Sequence, residues 1–265
     1  MANILDTILA VKRREVAELA PRLADLKAAC RDASPPRDFA AALRRRKVPP
    51  AGPIRIIAEV KHRSPSAGVI ISPFVPEEIA RQYAAAGANA ISCLTDREFF
   101  GGSIDHLRAV RAAVGLPVLR KDFLIAAEQV YEARAAGADA ILLIAEALDL
   151  GPMTDLAALA ADLGMDVLAE AHSEPMVERA IACGAPLVGI NNRDLATFRV
   201  DLGATERLAP QVLAAGRVLV AESGIKTGAD VSRLLAAGAD AILVGEGLLR
   251  SGAIAAKLAE FLAAR

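Results

Sequence analysis

Aromatic side chains are scarce in this 265-residue chain: they make up 3% of it, and tryptophan is absent. Single-stranded nucleic acids are held by aromatic platforms beside basic grooves. The basic component is missing as well, because 31 Lys and Arg face 32 Asp and Glu, for a net charge of -1. A nucleic-acid partner is therefore not expected. Cysteine is also rare. Cys30, Cys93 and Cys183 are isolated and odd in number, which reads as reduced thiols in a cytosolic protein rather than a disulfide framework. His62, His106 and His172 show no metal-ligand spacing with one another or with the cysteines. No metal and no cofactor is expected. Long apolar runs are missing despite 54% hydrophobic residues and a mean hydropathy of +0.36. The best run, Ala140 to Ala145, is flanked by Asp139 and Glu146, whereas a membrane span needs roughly 20 apolar residues. The opening stretch, M-A-N-I-L-D-T-I-L-A-V-K-R-R-E-V, places its basic residues after the apolar part, the reverse of a signal peptide. These absences predict a cytoplasmic protein with no membrane partner, a monomer or weak homo-oligomer.

What is abundant is one recurring phrase. It reads A-A-A-G-A-N-A-I-S-C-L from Ala84, A-A-G-A-D-A-I-L-L-I from Ala135 and A-A-G-A-D-A-I-L-V-G from Ala236, with a looser copy, A-C-G-A-P-L-V-G-I-N, from Ala182. Each copy reads as a helix end, a glycine cap and a short buried strand. Between copies lie further apolar strands: V-L-R-K from Val118, D-V-L-A-E from Asp166 and V-L-V-A-E from Val218, the series opening with I-R-I-I-A-E-V-K from Ile54. Eight short strands, each followed by a helical pattern, predict an α/β fold, a (β/α)8 TIM barrel spanning residues 1–265 as one domain. An open doubly wound sheet would favour a G-x-G-x-x-G turn after the first strand, where this chain has K-H-R-S-P-S-A-G. Residues 1–50 precede the barrel. They predict helices around Ile4–Leu19 and Asp38–Arg46, joined by S-P-P-R, forming an extension over the active-site face. The apolar stripe Ile4, Leu5, Ile8 and Leu9 would be buried near the C-terminal rim.

Barrels of this kind place their chemistry at the C-terminal ends of the strands. Those positions hold Glu59 and Lys61 after the first strand, Lys121 and Asp122 after the third, Glu170 after the fifth, Asn191 and Arg193 after the sixth, and Glu222 after the seventh. Lysines and carboxylates converging on one mouth are costly unless paired and used. A self-compensating ion network that merely closes the barrel top is the bland alternative. The last two strands end in A-E-S-G-I-K and L-V-G-E-G, where Ser223, Gly224, Gly245 and Glu246 form turns suited to a substrate phosphate. Ordinary turn chemistry would also place glycine there.

The segments I-A-E-V-K-H-R-S-P-S-A-G, L-T-D-R-E-F-F-G-G-S, L-R-K-D-F, L-A-E-A-H, G-I-N-N-R-D-L and V-A-E-S-G-I-K follow in order along nearly the whole chain. Together they resemble the indole-3-glycerol-phosphate synthase family. The resemblance implies a cofactor-free carboxy-lyase of tryptophan biosynthesis acting on a small phosphorylated substrate. That substrate is 1-(2-carboxyphenylamino)-1-deoxyribulose 5-phosphate, and the enzyme closes its indole ring with loss of carbon dioxide and water. It further implies Lys121 as the principal general acid, Glu170 as an acid/base residue, Lys61 as a second essential lysine, and Glu59 and Asn191 as catalytic positioning groups. Ser64, Arg193 and Glu222 would contact the substrate, while Phe100, Phe123 and Leu195 would wall its aromatic ring. Glu246 stands where the family often has serine, and only its backbone N–H is expected to meet the phosphate. A phosphoribosylanthranilate isomerase, a Schiff-base aldolase using Lys121 and a barrel acting only as a binding protein remain open at this point.

Overall fold

The computed structural model describes residues 4–47, 52–65, 67–194 and 199–265. Eight parallel strands close into a barrel: β1 (Arg55–Val60), β2 (Ala90–Leu94), β3 (Val118–Lys121), β4 (Ala140–Ile144), β5 (Asp166–Ala171), β6 (Leu187–Asn191), β7 (Val218–Glu222) and β8 (Ala241–Val244). Strands β1 and β8 pair in parallel, with Ile56 beside Ile242 and Ala58 beside Val244, which completes the ring. The repeated phrase explains the closure. In three copies the residue after G-A is Asn89, Asp139 or Asp240. Its side chain accepts the N–H of Ile56, Val118 or Leu219 at 2.9, 2.7 and 3.0 Å. Its own N–H returns a bond to the carbonyl of the same partner, at 2.9 Å in each copy. Each repeat thus clamps the foot of the preceding strand. The looser copy has Pro186, which has no N–H to give, and its carbonyl accepts from Val218 at 3.1 Å instead. The repeat glycines 87, 137, 184 and 238 lie at φ between 87° and 94°, the left-handed cap that turns a helix end into a strand.

Side chains alternate across each strand. Outward residues such as Ile56, Val118 and Ile141 pack beneath the helices. Inward residues such as Ile57, Leu119, Leu168, Leu187 and Val220 fill the barrel. The same parity carries on to the strand ends. Two residues beyond Ile57, Leu119, Leu168 and Val220 stand Glu59, Lys121, Glu170 and Glu222, so these four point inward at the mouth.

The segment ahead of the barrel forms α1 (Ile4–Leu19), α2 (Leu23–Asp32) and α3 (Phe39–Leu43). Its layout departs from an extension lying wholly over the active-site face. Ile4, Leu5 and Ile8 of α1 do face the mouth. Helix α2, absent from the sequence-based reading, runs between α1 and α3, and Tyr131 of the helix Ala127–Ala135 accepts from its Cys30 thiol at 3.2 Å. Helix α3, shorter than expected, sits at the opposite end of the barrel. Its Phe39 and Leu43 are fully buried among the inward residues. Asp38 caps it by accepting from Ala41 N–H at 2.7 Å. At the strand feet Asp139 accepts from Arg37 N–H at 2.6 Å, and Asp166 from Ala40 N–H at 2.8 Å. The physical reason is that the barrel interior needs a floor. An open end would leave Leu119, Leu168 and Leu187 facing water. No helix among the described residues is long and apolar enough to cross a membrane.

Candidate active site

One cavity of about 1030 Å³ opens at the C-terminal ends of the strands. Glu59 and Lys61 reach it from β1 and the loop behind it, Lys121 from β3, Glu170 from β5, Asn191 from β6 and Glu222 from β7. Lys121 is the hub. Its Nζ lies 2.9 Å from Glu170 Oε2 and 3.2 Å from Glu222 Oε2. The Asn191 side-chain amide donates to Glu170 Oε1 at 2.8 Å, and its Oδ1 accepts from Arg193 N–H at 3.0 Å. Lys61 pairs with Glu59. Two glycines make room for carboxylates here. A side chain at Gly189 would collide with Glu222 Oε1, and one at Gly245 would come within 2.6 Å of Glu59 Oε1. Gly245, read from sequence as a phosphate turn, therefore also has a packing reason.

The electrostatics are uneven. Burial opposes the charge on Lys121, but Glu170, Glu222 and Glu59 overcome it and hold its pKa above the usual lysine range. Burial also pushes Glu170 upward. The Lys121 charge and the hydrogen bonds from Lys121, Asn191 and Glu222 outweigh that, and its pKa lies below the usual range. Glu222 goes the other way. Burial raises it most, Lys121 opposes and the Glu170 charge adds, leaving it at about 8. Two carboxylates against one ammonium thus split into an ionised and a protonated partner, an acid and a base in one cluster. Among the described residues no group of three or more His, Cys, Asp or Glu is placed to hold a metal ion.

The cavity has two further ends. Phe100 and Phe123, their ring centroids 6.2 Å apart, line it together with Leu5, Ile8 and Pro65. Ser64 and Arg193 line it as well. Leu195, the third expected ring contact, lies outside the described residues. The other end is formed by Ser223, Gly224, Gly245 and Glu246. Ser223 is the one non-glycine among the described residues with a left-handed backbone, at φ 68°. Such strain clusters at functional turns. The Glu246 carboxylate is paired with Arg250, 3.0 Å away, which also lines the cavity. His172 is held by Glu146 at 2.6 Å and lines no part of the cavity.

The sequence reading passed over one buried cation. Lys12 of α1 is fully buried, with its Nζ within 2.8 Å of Glu15, Asp96 and Asp122. The signal was present. Lys12 follows Ile8 by four residues and so lies on the apolar stripe of α1, where a lysine is out of place.

A family model described as indole-3-glycerol phosphate synthase matches residues 5–261. This chain belongs to that family. Curated indole-3-glycerol phosphate synthases are similar to it nearly end to end. The one from Aromatoleum aromaticum is 51% identical over 252 residues, 94% of this chain and 95% of its own length. The one from Albidiferax ferrireducens is 49% identical over 265 residues, 99% of each. The one from Rhodospirillum rubrum is 51% identical over 253 residues, 94% of this chain and 95% of its own length. A solved structure titled as an N-acetylmannosamine-6-phosphate 2-epimerase from Clostridium perfringens matches with a TM-score of 0.58 at 16% identity, covering 78% of this chain and 93% of that one. It shares the fold alone. In this chain the barrel's mouth holds two buried carboxylates, Glu170 and Glu222, that both touch Lys121.

Proposed function

We infer that the protein performs the family's reaction in tryptophan biosynthesis and that the residues at the mouth divide it between them. The reaction converts 1-(2-carboxyphenylamino)-1-deoxyribulose 5-phosphate to indole-3-glycerol phosphate, carbon dioxide and water. The phosphate sits at the two turns Ser223–Gly224 and Gly245–Glu246, and the aryl ring between Phe100, Phe123 and the apolar face of α1. That places the ketose carbonyl over Lys121. As the ring carbon bonds to the carbonyl carbon, Lys121 protonates the carbonyl oxygen. The ring–carboxylate bond then breaks, and its electron pair restores aromaticity as carbon dioxide leaves. In the last step the hydroxyl departs as water on a second delivered proton, and a base takes one proton from the neighbouring methylene carbon. Two protons go in and one comes out.

The Lys121–Glu170 contact carries this reading. At 2.9 Å, Glu170 can return the proton it collects to the ammonium that donates. Positioned proton transfer of this kind contributes about 10²–10⁴-fold. Lys61 and Glu59 form the second proton-bearing pair beside the substrate, and Asn191 holds Glu170 in place. Arg193, Ser64 and Glu222 meet the polar edges of the substrate. The chemistry asks for proton donors and acceptors, and the mouth supplies both without a cofactor. We place the enzyme in the cytoplasm as a monomer or weak homo-oligomer, with no nucleic-acid or membrane partner. The test is incubation with the carboxyphenylamino-deoxyribulose phosphate while following indole fluorescence. Product at enzyme-like rates is expected, and an unchanged substrate would overturn the reading.

A further inference from the structure

Around the aromatic end of the cavity, two loop turns are each built on one buried carboxylate. Asp96, two residues beyond β2, accepts from the N–H groups of Phe99 and Phe100 at 2.7 and 3.0 Å, and its carbonyl accepts from Gly102 N–H at 2.6 Å. This turn delivers Phe100 to the cavity. Asp122, directly after Lys121, accepts from Phe123 N–H at 2.8 Å and from the Thr95 hydroxyl at 2.6 Å. This turn delivers Phe123. The third wall is α1, through Leu5 and Ile8. One ammonium touches all three. Lys12 Nζ lies 2.7 Å from Asp96 Oδ2 and 2.8 Å from Asp122 Oδ1, and it projects from the helix that carries Leu5 and Ile8.

We propose that Lys12 is a positioning residue that assembles the aromatic end of the site, setting the turns of Phe100 and Phe123 and the helix α1 in one register. The inference rests on the reading of the cavity as the seat of an aryl-bearing sugar phosphate. Ordinary stability could be supplied by a lysine paired with either carboxylate. What is particular here is the sharing. Asp96 Oδ1 holds the Phe99 and Phe100 amides while Oδ2 faces Lys12. Asp122 is anchored on its other oxygen by Thr95 and by Arg120, the latter at 3.4 Å. Without Lys12 three carboxylates would face one another at that point, Glu15 and the nearly sealed Asp96 and Asp122, with Arg97 reaching only Glu15 of these and Arg120 only Asp122. Their turns would move apart, and the ring walls would move with them. The phosphate turns at Ser223–Gly224 and Gly245–Glu246 follow β7 and β8, and the ion pairs of Lys12 run to Glu15, Asp96 and Asp122, so the turns should respond much less.

The experiment measures two ligands on Lys12→Met. KM for the carboxyphenylamino-deoxyribulose phosphate is expected to rise by about 10- to 100-fold, since small misplacements of positioning groups cost that much. Inorganic phosphate, which needs only the glycine turns, should compete with an inhibition constant within about twofold of wild type. A KM that stays at the wild-type value, or a loss equal for both ligands, overturns the proposal. If Lys12→Met does not fold, the charge-balanced variant Lys12→Met/Asp96→Asn is measured in its place. It retains an acceptor for the Phe99 and Phe100 amides and leaves Asp122 with Arg120. Failure of both variants to fold would make Lys12 a stability residue and also overturn the proposal. Wild-type turnover is measured alongside. Its absence would sink the reading of the site itself, whereas normal wild-type turnover with an unchanged Lys12→Met sinks only the role of Lys12.

Discussion

The two ends of this barrel both carry buried carboxylates and use them in opposite ways. At the N-terminal end Asp139, Asp166 and Asp240 are held by backbone N–H groups, and Arg111 and Lys47 stand 3.1 and 3.0 Å from Asp139 and Asp240. Their lone pairs go to fixed donors of the fold, and nothing is left over for a ligand. At the C-terminal end the carboxylates meet side chains that can exchange protons. Two of them, Glu170 and Glu222, share one lysine. The floor is therefore built for stability and the mouth for chemistry, although both are made from the same strands.

The sharpest way to break that comparison is at its hub. Lys121→Met should leave the circular dichroism of a folded barrel and lower kcat by at least about 10²-fold, because the proton donor is gone. Turnover close to wild type would remove Lys121 from the acid role and leave the mouth an inert ion network. The mirror experiment is at the floor. Phe39→Ala empties a fully buried site in the barrel interior and should cost about 3–5 kcal/mol of unfolding free energy, with kcat per folded molecule unchanged. Urea unfolding and active-site titration measure the two separately. A loss of kcat without a loss of stability would show that the ends are not independent. For the same reason a chain starting near Val48 should be poorly stable, since it lacks the floor as well as α1.

The next effect is smaller and depends on pH. Glu222 has its pKa raised on folding from 4.5 to about 8, chiefly by burial. A carboxyl with a raised pKa holds its proton more tightly when folded, so its ionisation costs the folded state. Stability is lost as pH climbs from the unfolded value through the folded one. Glutamine mimics the protonated form and is exempt. Glu222→Gln should therefore match wild type at about pH 5 and exceed it increasingly toward about pH 9 in denaturant titrations. A difference that stays flat across that range would mean Glu222 is already ionised and that Lys121 bears two negative charges. Burial also raises the floor carboxylates Asp139 and Asp166, so their loss of stability with pH has the same sign but begins from the lower aspartate value.

Much of this contrast was legible before any coordinates. The repeat marks the strands because glycine caps and apolar runs recur about every fifty residues, with further apolar runs between them, and strand parity then puts Glu59, Lys121, Glu170 and Glu222 inside together. Helix α3 was harder. Its five residues, F-A-A-A-L, are too short to show a helical period, and only the need to plug an open barrel places Phe39 and Leu43. Lys12 was hidden for a different reason. A lone lysine on an apolar stripe ordinarily extends its charged end to solvent, and two of its three carboxylate partners, Asp96 and Asp122, lie more than eighty residues away in the chain. Glu246 could not be oriented from sequence at all, because no period determines a side chain that is partly exposed.

Glu246 also gives the smallest predicted effect, and the finest test of how the mouth treats charge. It stands at the phosphate turn, where a carboxylate aimed at the anion would repel it. In the structure the carboxylate instead meets Arg250 at 3.0 Å, one helical turn away, and Arg250 also donates to the Ala67 carbonyl at 3.2 Å. The charge is thus offset by Arg250 in a partly exposed pair, which contributes at most about 1 kcal/mol. Replacing it by serine removes a distant, screened repulsion and adds one hydroxyl near the turn. Phosphate affinity of Glu246→Ser should therefore change by less than about tenfold, equivalent to about 1.4 kcal/mol, as read by competition of inorganic phosphate with substrate. A gain larger than that would mean the carboxylate faces the anion in solution and that Arg250 does not hold it. The phosphate end would then be a place where the mouth tolerates a misdirected charge, and its contrast with the backbone-held carboxylates of the floor would extend beyond the Lys121 cluster.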